Sequence, residues 1–310
     1  MMKKEFSILS LGLMFFVTSC GGEEKNDESN DSNETDTTTV ETTDETAALA
    51  PGMTPWDFPT VGFNGQPGDY VLCPGYTMYQ NNLEDEDPTD GVIIMYTSEV
   101  SAAGDVESDI DFTFDDVQKM PNSLLIDIPQ GQTAAVGDIV LTWWQTGSGM
   151  QRGIVTDASD PTQPKVRYLD LDFDNPAEDS ESGKSIGATE YQLKPNSFVK
   201  LTDPWQEGQY IACKNDEGKW KNAQIVKVAG DKVLTIGFAG RITVYAKADC
   251  RPTVAKPAVK AGDMVWADFV GGWMECEVTK VDPKMGVVWV EQYGSESPVS
   301  YGLISTTEFK

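Results

Sequence analysis

A Gly-Asp or Gly-Gln pair followed at once by a short strand pattern occurs four times in the chain. The pair begins the stretches GDYVLC, GDIVLT, GQYIAC and GDMVWA, at Gly68, Gly137, Gly208 and Gly262. In the first and third stretches a cysteine, Cys73 or Cys213, stands five residues after the glycine. Self-similarity of this kind is the signature of a repeat architecture, in which each copy is one small structural unit. The sequence therefore predicts tandem copies of one fold.

The ends of the first two units repeat as well. The stretches MPNSLLIDIP, from Met120, and KPNSFVKLTDP, from Lys194, share Pro-Asn-Ser followed by an apolar strand pattern. With beginnings and ends both matched, we expect four units, at residues 56–132, 133–204, 205–256 and 257–310.

The interior of each unit has the pattern of several short strands. In the fourth unit they are DMVWADF, WMECEVTKV, GVVWVEQY and SPVSYGLI, which alternate apolar and polar residues between turn residues. No stretch of the folded region carries a sustained helical period. Small bent sheets bury little surface each, and closure into a barrel both enlarges the core and removes exposed edges. We therefore predict an all-β chain of tandem small barrels.

Several residues of the fourth unit match a known family of small barrels. They are Gly262-Asp263-x-Val265-x-Ala267, Phe269, Cys276-Glu277-Val278, Val287-Val288-Trp289-Val290 and Tyr293-Gly294-Ser295. Together they resemble the Tudor domain, one of the SH3-like barrels. The third unit is similar along its length, the second at both ends, and the first at its beginning only.

The Tudor resemblance implies a cage of aromatic rings that holds a methylated lysine or arginine by cation–π attraction. In the fourth unit Phe269 and Tyr293 fall at cage positions, and Trp273 is the neighbour of a third. In the second unit Trp144 and Phe173 match two aromatic cage positions, and Asn175 matches the polar position. The ligand-binding residues that the resemblance implies are thus Trp144, Phe173, Asn175, Phe269, Trp273 and Tyr293.

Two alternatives apply to these segments. Aromatic residues in small sheets also fill cores and stack across strands, and then they bind nothing. In DLDFDNPAEDSE the ligand positions of a calcium loop are matched by Asp170, Asp172, Asp174 and Glu181. However, Asn175 replaces the glycine of that loop and Pro176 follows it. We favour a strand with outward carboxylates here, and we predict no metal and no cofactor.

The first residues of the chain have the features of an export signal. Lys3 and Lys4 precede an apolar run from Phe6 to Val17, which is too short to cross a bilayer. Small residues before Cys20 resemble the lipobox of bacterial lipoproteins, which implies removal of residues 1–19 and acylation of Cys20. The resemblance favours the outer membrane, and an ordinary secretory signal is the alternative. Residues 20–55, rich in Glu, Asp, Asn, Ser and Thr, predict a disordered acidic tether.

Charge and composition limit the classes of function. The net charge is −27, so phosphate-bearing partners such as nucleic acid are repelled and cationic partners are favoured. There is no histidine, which removes the commonest general base and the usual imidazole metal ligand. No carboxylate has an evident apolar setting that would raise its pKa, and no phosphate loop or serine elbow occurs. We therefore predict no catalytic residues.

The four cysteines beyond Cys20 stand singly. They are Cys73, Cys213, Cys250 and Cys276, without any C-x-x-C, so a zinc site is not predicted. In an exported protein an even number suggests disulfides, and three pairings are possible. Cys213 and Cys250 belong to the third unit, near its first and last strands, which are neighbours in a small barrel. We predict a bridge between them.

The sequence as a whole predicts a lipid-anchored, non-catalytic binding or adhesion protein of the bacterial envelope or cell surface. Its expected partners are the membrane, through the N-terminal lipid, and a cationic or amphipathic peptide or envelope component. The first alternative is a structural lipoprotein whose barrels pack on each other and bind nothing small, and a carboxylate-based enzyme is the second. Exposure and convergence of Trp144, Trp273 and Phe269 would distinguish binding from a structural role.

Overall fold

The computed structural model describes residue 54 and residues 56–84, 92–113, 115–170 and 190–309. Within these ranges the chain is built from antiparallel strands, one short α-helix and the 3-10 turns Asn122–Leu124, Phe238–Gly240 and Lys247–Asp249, which confirms the predicted all-β class. The signal segment, most of the acidic stretch, the lipidation residue Cys20 and the predicted ligand-binding residues Phe173 and Asn175 lie outside the described residues.

In the described residues, twenty strands fall into four consecutive groups of five, each group forming one small barrel. The first barrel contains β1 (Tyr70–Pro74), β2 (Met95–Ala102), β3 (Glu107–Phe112), β4 (Asp116–Pro121) and β5 (Ile126–Ile128). The second contains β6 (Ile139–Trp143), β7 (Met150–Asp157), β8 (Lys165–Tyr168), β9 (Glu190–Gln192) and β10 (Val199–Lys200). The third contains β11 (Tyr210–Lys214), β12 (Trp220–Ala229), β13 (Lys232–Gly237), β14 (Ile242–Ala246) and β15 (Cys250–Pro252). The fourth contains β16 (Met264–Phe269), β17 (Gly272–Asp282), β18 (Val287–Gln292), β19 (Ser295–Ser300) and β20 (Ile304–Ser305).

All four barrels share one strand order. The first four strands of each barrel form an antiparallel meander, and the short fifth strand returns to pair with the first. The order fifth-first-second-third-fourth is that of an SH3-like barrel. Each barrel uses only its own five strands, and the sheets of the third and fourth barrels join where Lys221 of β12 pairs with Gly272 of β17.

The repeated Gly-Asp pair forms the turn that begins each barrel. In the fourth barrel Gly262 has a φ of 88°, a left-handed conformation that favours glycine. Its N–H donates to the carbonyl of Val278, and the N–H of Val278 donates back to the carbonyl of Asp263. The register of β17 shifts directly after Val278, so this pair of hydrogen bonds marks a β-bulge. The same glycine conformation, hydrogen bonds and bulge recur in the other three barrels.

The aspartate of the pair closes this turn with its side chain. Oδ2 of Asp263 accepts a hydrogen bond from the N–H of Lys260 at 3.0 Å. In the first and second barrels Asp69 and Asp138 accept the equivalent bond from the residue three positions earlier. In the third barrel Gln209 keeps only the equivalent backbone bond, from its own N–H to the carbonyl of Gln206. The turn at Gly208 therefore forms without the side-chain bond that the aspartates supply.

One helix departs from the prediction that the folded region has no helical segment. Helix α1 (Tyr76–Glu84) lies between β1 and β2 of the first barrel. Only Tyr79 and Asn82 are buried among its nine residues, so it has no apolar stripe that a periodicity argument could detect. Asn82 donates a hydrogen bond to the carbonyl of Met78, one turn earlier.

The barrels pack on each other through a shared core. One cluster of buried side chains contains residues of every barrel, among them Leu72, Leu141, Leu234 and Val288. Smaller separate cores lie inside the second and third barrels. Because a single small barrel has little interior, burial between barrels supplies apolar contacts that no barrel could make alone.

Arg152 connects three barrels at a buried point. Its side chain is fully buried, and its Nη2 lies 2.5 Å from Oδ1 of Asp170. Its Nη1 donates to the carbonyl of Tyr301 in the fourth barrel at 2.6 Å, and its guanidinium lies 4.2 Å from the ring centroid of Tyr210 in the third. Oδ2 of Asp170 accepts further bonds from Arg152, so this carboxylate faces inward rather than to solvent, and its oxygens are occupied by arginine. The other residues of the candidate calcium loop lie outside the described ranges.

Candidate functional site

Two hairpin tips of the fourth barrel bring Phe269 and Tyr293 together. β16 and β17 are joined by the two-residue loop Val270-Gly271, and β18 and β19 by Tyr293-Gly294. The rings of Phe269 and Tyr293 have centroids 5.6 Å apart and an interplanar angle of 70°, an edge-to-face arrangement. The two residues are 40% and 79% exposed. Of the six predicted ligand-binding residues, these two form an exposed aromatic pair.

Both hairpin tips hold a bulky residue in a left-handed conformation. Val270 has a φ of 51° and Tyr293 a φ of 50°, and each is followed by a glycine with positive φ. Two-residue hairpin loops of this kind favour Asn-Gly or Asp-Gly, because other side chains crowd the backbone there. A β-branched residue such as Val270 is a marked outlier in this region, yet it is 69% exposed and so gains little from packing. Backbone strain of this type accumulates at binding sites. It could not be predicted from the sequence, because the type of turn depends on the register of the two strands that it joins.

A row of glutamates crosses the fourth barrel beside the aromatic pair. Glu277 of β17 lies directly opposite Glu291 of β18, which lies opposite Glu296 of β19, and all three are exposed. Like charges facing each other across strands destabilise a sheet. Glu291 stands two residues before Tyr293, so the negative potential of this row extends to the hairpin tip. A cationic ligand would relieve the repulsion.

Trp273 takes no part in the aromatic pair. The sequence places it in a loop, but it is the second residue of β17 and only 9% exposed. Its ring packs against Phe309, with centroids 5.0 Å apart, and Trp220 and Trp266 pack against the same phenyl ring. Trp273 therefore belongs to a buried cluster between the third and fourth barrels, as the core-filling alternative describes.

Trp144 of the second barrel is partly buried. Its ring packs against the core of that barrel and covers the loop at Gly147. The indole N–H is buried. The neighbouring Trp143, which the sequence analysis did not select, lines a cavity of about 410 Å³ with Tyr96 and Phe112.

Trp144, Trp273 and Phe269, whose exposure and convergence were to distinguish binding from a structural role, thus lie in three separate places and do not converge. By this criterion the two tryptophans favour the structural role, and the binding hypothesis depends on Phe269 and its neighbour Tyr293.

Two carboxylates correct the expectation that none has a raised pKa. Burial raises the pKa of Asp127 to about 6, and the nearby charges of Asp69 and Glu207 add to the effect. Burial also raises the pKa of Asp268 to about 6, although a hydrogen bond from the backbone of Gly271 opposes the shift. Raised values mark functional carboxylates as well as buried structural ones, and they place Asp268 among the candidate residues.

The two cysteines of the third barrel face each other. Cys213 of β11 and Cys250 of β15 are directly opposite in register, and both are buried. Their Sγ atoms lie 3.3 Å apart as free thiols, whereas a disulfide requires about 2.05 Å. The bridge remains a prediction, which peptide mapping of the exported protein without reduction would test.

No group of three or more His, Cys, Asp or Glu side chains in the described ranges could hold a metal ion. Among the same residues, no helix has the length and apolarity needed to cross a membrane.

Comparison with known proteins gives weak likenesses only. No family model and no curated protein matches the chain. Among solved structures, AGD34 of Arabidopsis thaliana AGDP1 is 18% identical with a TM-score of 0.21, over 33% of this chain and 81% of that one. The tandem Agenet domain 3-4 of ADCP1 is 17% identical with a TM-score of 0.20, over 33% of this chain and 79% of that one. At these scores neither structure supports a conclusion about this chain.

Proposed function

We propose that the chain is a non-catalytic, lipid-anchored binding protein of the bacterial outer membrane or cell surface that recognises cationic or amphipathic ligands, basic peptides above all. The observation that carries the proposal is the exposed pair of Phe269 and Tyr293 beside a row of three facing glutamates. Aromatic faces attract cations, and carboxylates raise the local concentration of cations. The strained residues at the two hairpin tips add support, since Val270 and Tyr293 are exposed and gain little from burial among the described residues.

A single site of this kind binds weakly. A cation over an exposed ring gains about 0.5–1 kcal/mol, so affinity must come from several contacts or from a multivalent target. Basic peptides meet that requirement because they carry several cations on one flexible chain.

The anchoring part of the proposal rests on the sequence. The lipobox before Cys20 and the acidic stretch after it support a lipid-anchored protein whose folded part stands away from the membrane. Mass spectrometry of the mature amino terminus tests this, because an unmodified residue downstream of Cys20 would exclude acylation.

The binding proposal is tested by titrating a lysine-rich peptide into the protein at low and high salt. We expect binding that weakens as salt rises, because exposed charges are screened. Tyr293→Asn removes the ring but suits the left-handed turn, and Phe269→Ala removes the second ring. Each should weaken binding about two- to fivefold, the equivalent of one cation–π contact.

A matched control for these variants is Val136→Ala. Val136 is an apolar residue of the second barrel with 66% exposure, and its replacement should leave the affinity unchanged. Unchanged affinity in both aromatic variants, or no binding at low salt, would contradict the proposal.

A structural role is the second candidate. The shared core and the buried contacts of Arg152 favour it, because they fix the barrels to one another without any ligand. In that case no peptide would bind, whatever its charge.

A further inference from the structure

A cavity of about 230 Å³ lies between the third and fourth barrels, close to the point where β12 and β17 join. The third barrel lines it with Tyr210, Asn222, Gln224 and Phe238, and the fourth lines it with Asp268 and Gly271. It is a different place from the aromatic pair of Phe269 and Tyr293, neither of which lines it.

Two acceptor atoms in this cavity have no partner. Oδ1 of Asp268 and Oδ1 of Asn222 are both buried, and neither makes a hydrogen bond within the part of the chain that the structure describes. Buried polar atoms are nearly always paired, and an unpaired one costs free energy, most of all on a carboxylate. Two such residues line one cavity, which makes it a candidate site for a molecule that brings hydrogen-bond donors.

The neighbouring polar groups of the cavity do not supply the missing donors. Nε2 of Gln224 uses one of its two N–H groups to bond the carbonyl of Gly208 at 2.8 Å, and it bonds neither of the two unpaired oxygens. The hydroxyl of Tyr210 is hydrogen-bonded to Asp170, and its ring lies under the guanidinium of Arg152. A ligand with N–H donors would complete both oxygens, and the carboxylate of Asp268 favours one with a positive charge.

The cavity also provides apolar surface for the carbon atoms of such a ligand. Phe238 is a large exposed hydrophobic residue at its edge, and Ile236 and Ala223 lie in its wall. The side chain of Phe238 contacts the hairpin tip at Gly271, where an added Cβ would lie 2.8 Å from Cβ of Phe238. The edge of the cavity is thus built from both barrels.

We propose that this inter-barrel cavity binds one organic cation that carries N–H groups, an alkylammonium or guanidinium terminus. Asp268 supplies the counter-charge, and Oδ1 of Asp268 and of Asn222 accept the N–H bonds. The carbon chain of the ligand leaves past Phe238. The inference does not depend on the aromatic pair, which attracts cations through ring faces and needs no N–H donor.

The test is a titration of the protein with butylammonium, butylguanidinium and tetramethylammonium, followed by NMR shifts of the Asn222 and Gly271 amides. Tetramethylammonium has the same charge but no N–H group. We expect saturable shifts with butylammonium, butylguanidinium or both, and none at these amides with tetramethylammonium. The relative affinities of the first two decide between the ammonium and the guanidinium terminus.

Substitutions locate the site. Asp268→Asn removes the charge with little change of shape and should raise Kd about tenfold or more, since bonds to charged groups are the strong ones. Asn222→Ala should weaken binding less. Glu275→Gln removes an exposed charge from the neighbouring strand β17 and should leave Kd within about twofold, as expected of a screened surface charge.

Three results would overturn the inference. The first is the absence of saturable binding by both N–H cations, and the second is equal binding of tetramethylammonium at these amides. The third is binding that Asp268→Asn leaves unchanged. Phe269→Ala should not alter butylammonium binding here, so a failure of this site and a failure of the peptide site can be told apart.

Discussion

At the scale of single residues, the aromatic pair was predictable and its setting was not. Phe269 and Tyr293 could be selected because they fall at the cage positions of the Tudor domain, which the fourth unit resembles. Trp273 could not be separated from them, since one step along a strand turns a side chain to the other face of the sheet. The unpaired oxygens of Asp268 and Asn222 arise from contacts between barrels, which no pattern within one barrel reveals.

The left-handed valine gives a prediction at this scale. Val270→Asn replaces a β-branched residue at a φ of 51° with one that tolerates this conformation. We expect the free energy of unfolding to rise by about 0.5–1 kcal/mol, measured by urea denaturation at unchanged slope.

Val136→Asn is the control, because Val136 is about as exposed but is not among the residues with positive φ. Its effect should stay within about 0.5 kcal/mol. Equal effects of the two substitutions would show that the turn conformation stores no strain.

At the scale of structural elements, the strands were predicted well because their signals are local. The alternation of apolar and polar residues and the Gly-Asp turns both lie within a few residues of each strand. Helix α1 was missed because its burial comes from Tyr79 and Asn82 alone, which leaves no helical period. The bulge in the second strand of each barrel was also missed. It forms where the turn glycine is hydrogen-bonded to a residue about fifteen to thirty positions later in the chain, which no local pattern reveals.

The turn glycine supports a second prediction. Gly262 has a φ of 88°, and a Cβ added there would meet no atom within 4 Å. Gly262→Ala should therefore destabilise the protein through the backbone alone, by about 1–2 kcal/mol. Thermal or urea unfolding measures the change.

Gly62→Ala provides the comparison. A Cβ at Gly62 also meets nothing within 4 Å, but this glycine does not have the left-handed conformation. We expect no loss of stability there. If Gly262→Ala were equally harmless, the conformational explanation of the repeated pair would be wrong.

At the scale of the whole molecule, the sequence predicted four units but not how they are fixed together. Arg152 illustrates the reason, because its partners Asp170, Tyr210 and Tyr301 come from three barrels and from distant parts of the chain. Nothing in the local sequence around Arg152 distinguishes it from a surface arginine. Its burial also constrains Gly302, where an added Cβ would clash with Nη1 of Arg152.

Breaking this contact should be costly. Arg152→Met leaves the carboxylate of Asp170, whose side chain is 12% exposed, without its partner. We expect a loss of about 3–5 kcal/mol in the free energy of unfolding, measured by urea denaturation.

The exposed ion pair of Lys219 and Glu217 serves as the control. Its N–O distance of 2.7 Å is similar, but both side chains are 68% exposed. Lys219→Met should leave the free energy of unfolding essentially unchanged, because an exposed ion pair contributes little. A loss for Arg152→Met as small as this would mean that the buried contact is not what joins the barrels.

The bond from Arg152 to the carbonyl of Tyr301 also has a mechanical meaning. It joins positions 149 residues apart, so it closes the second, third and fourth barrels into a ring of contacts. Repeat arrays whose units touch only their neighbours can be drawn out one unit at a time. Here a force applied to the fourth barrel acts on the second barrel directly as well as through the third. We therefore expect these three barrels to unfold together under tension rather than one after another.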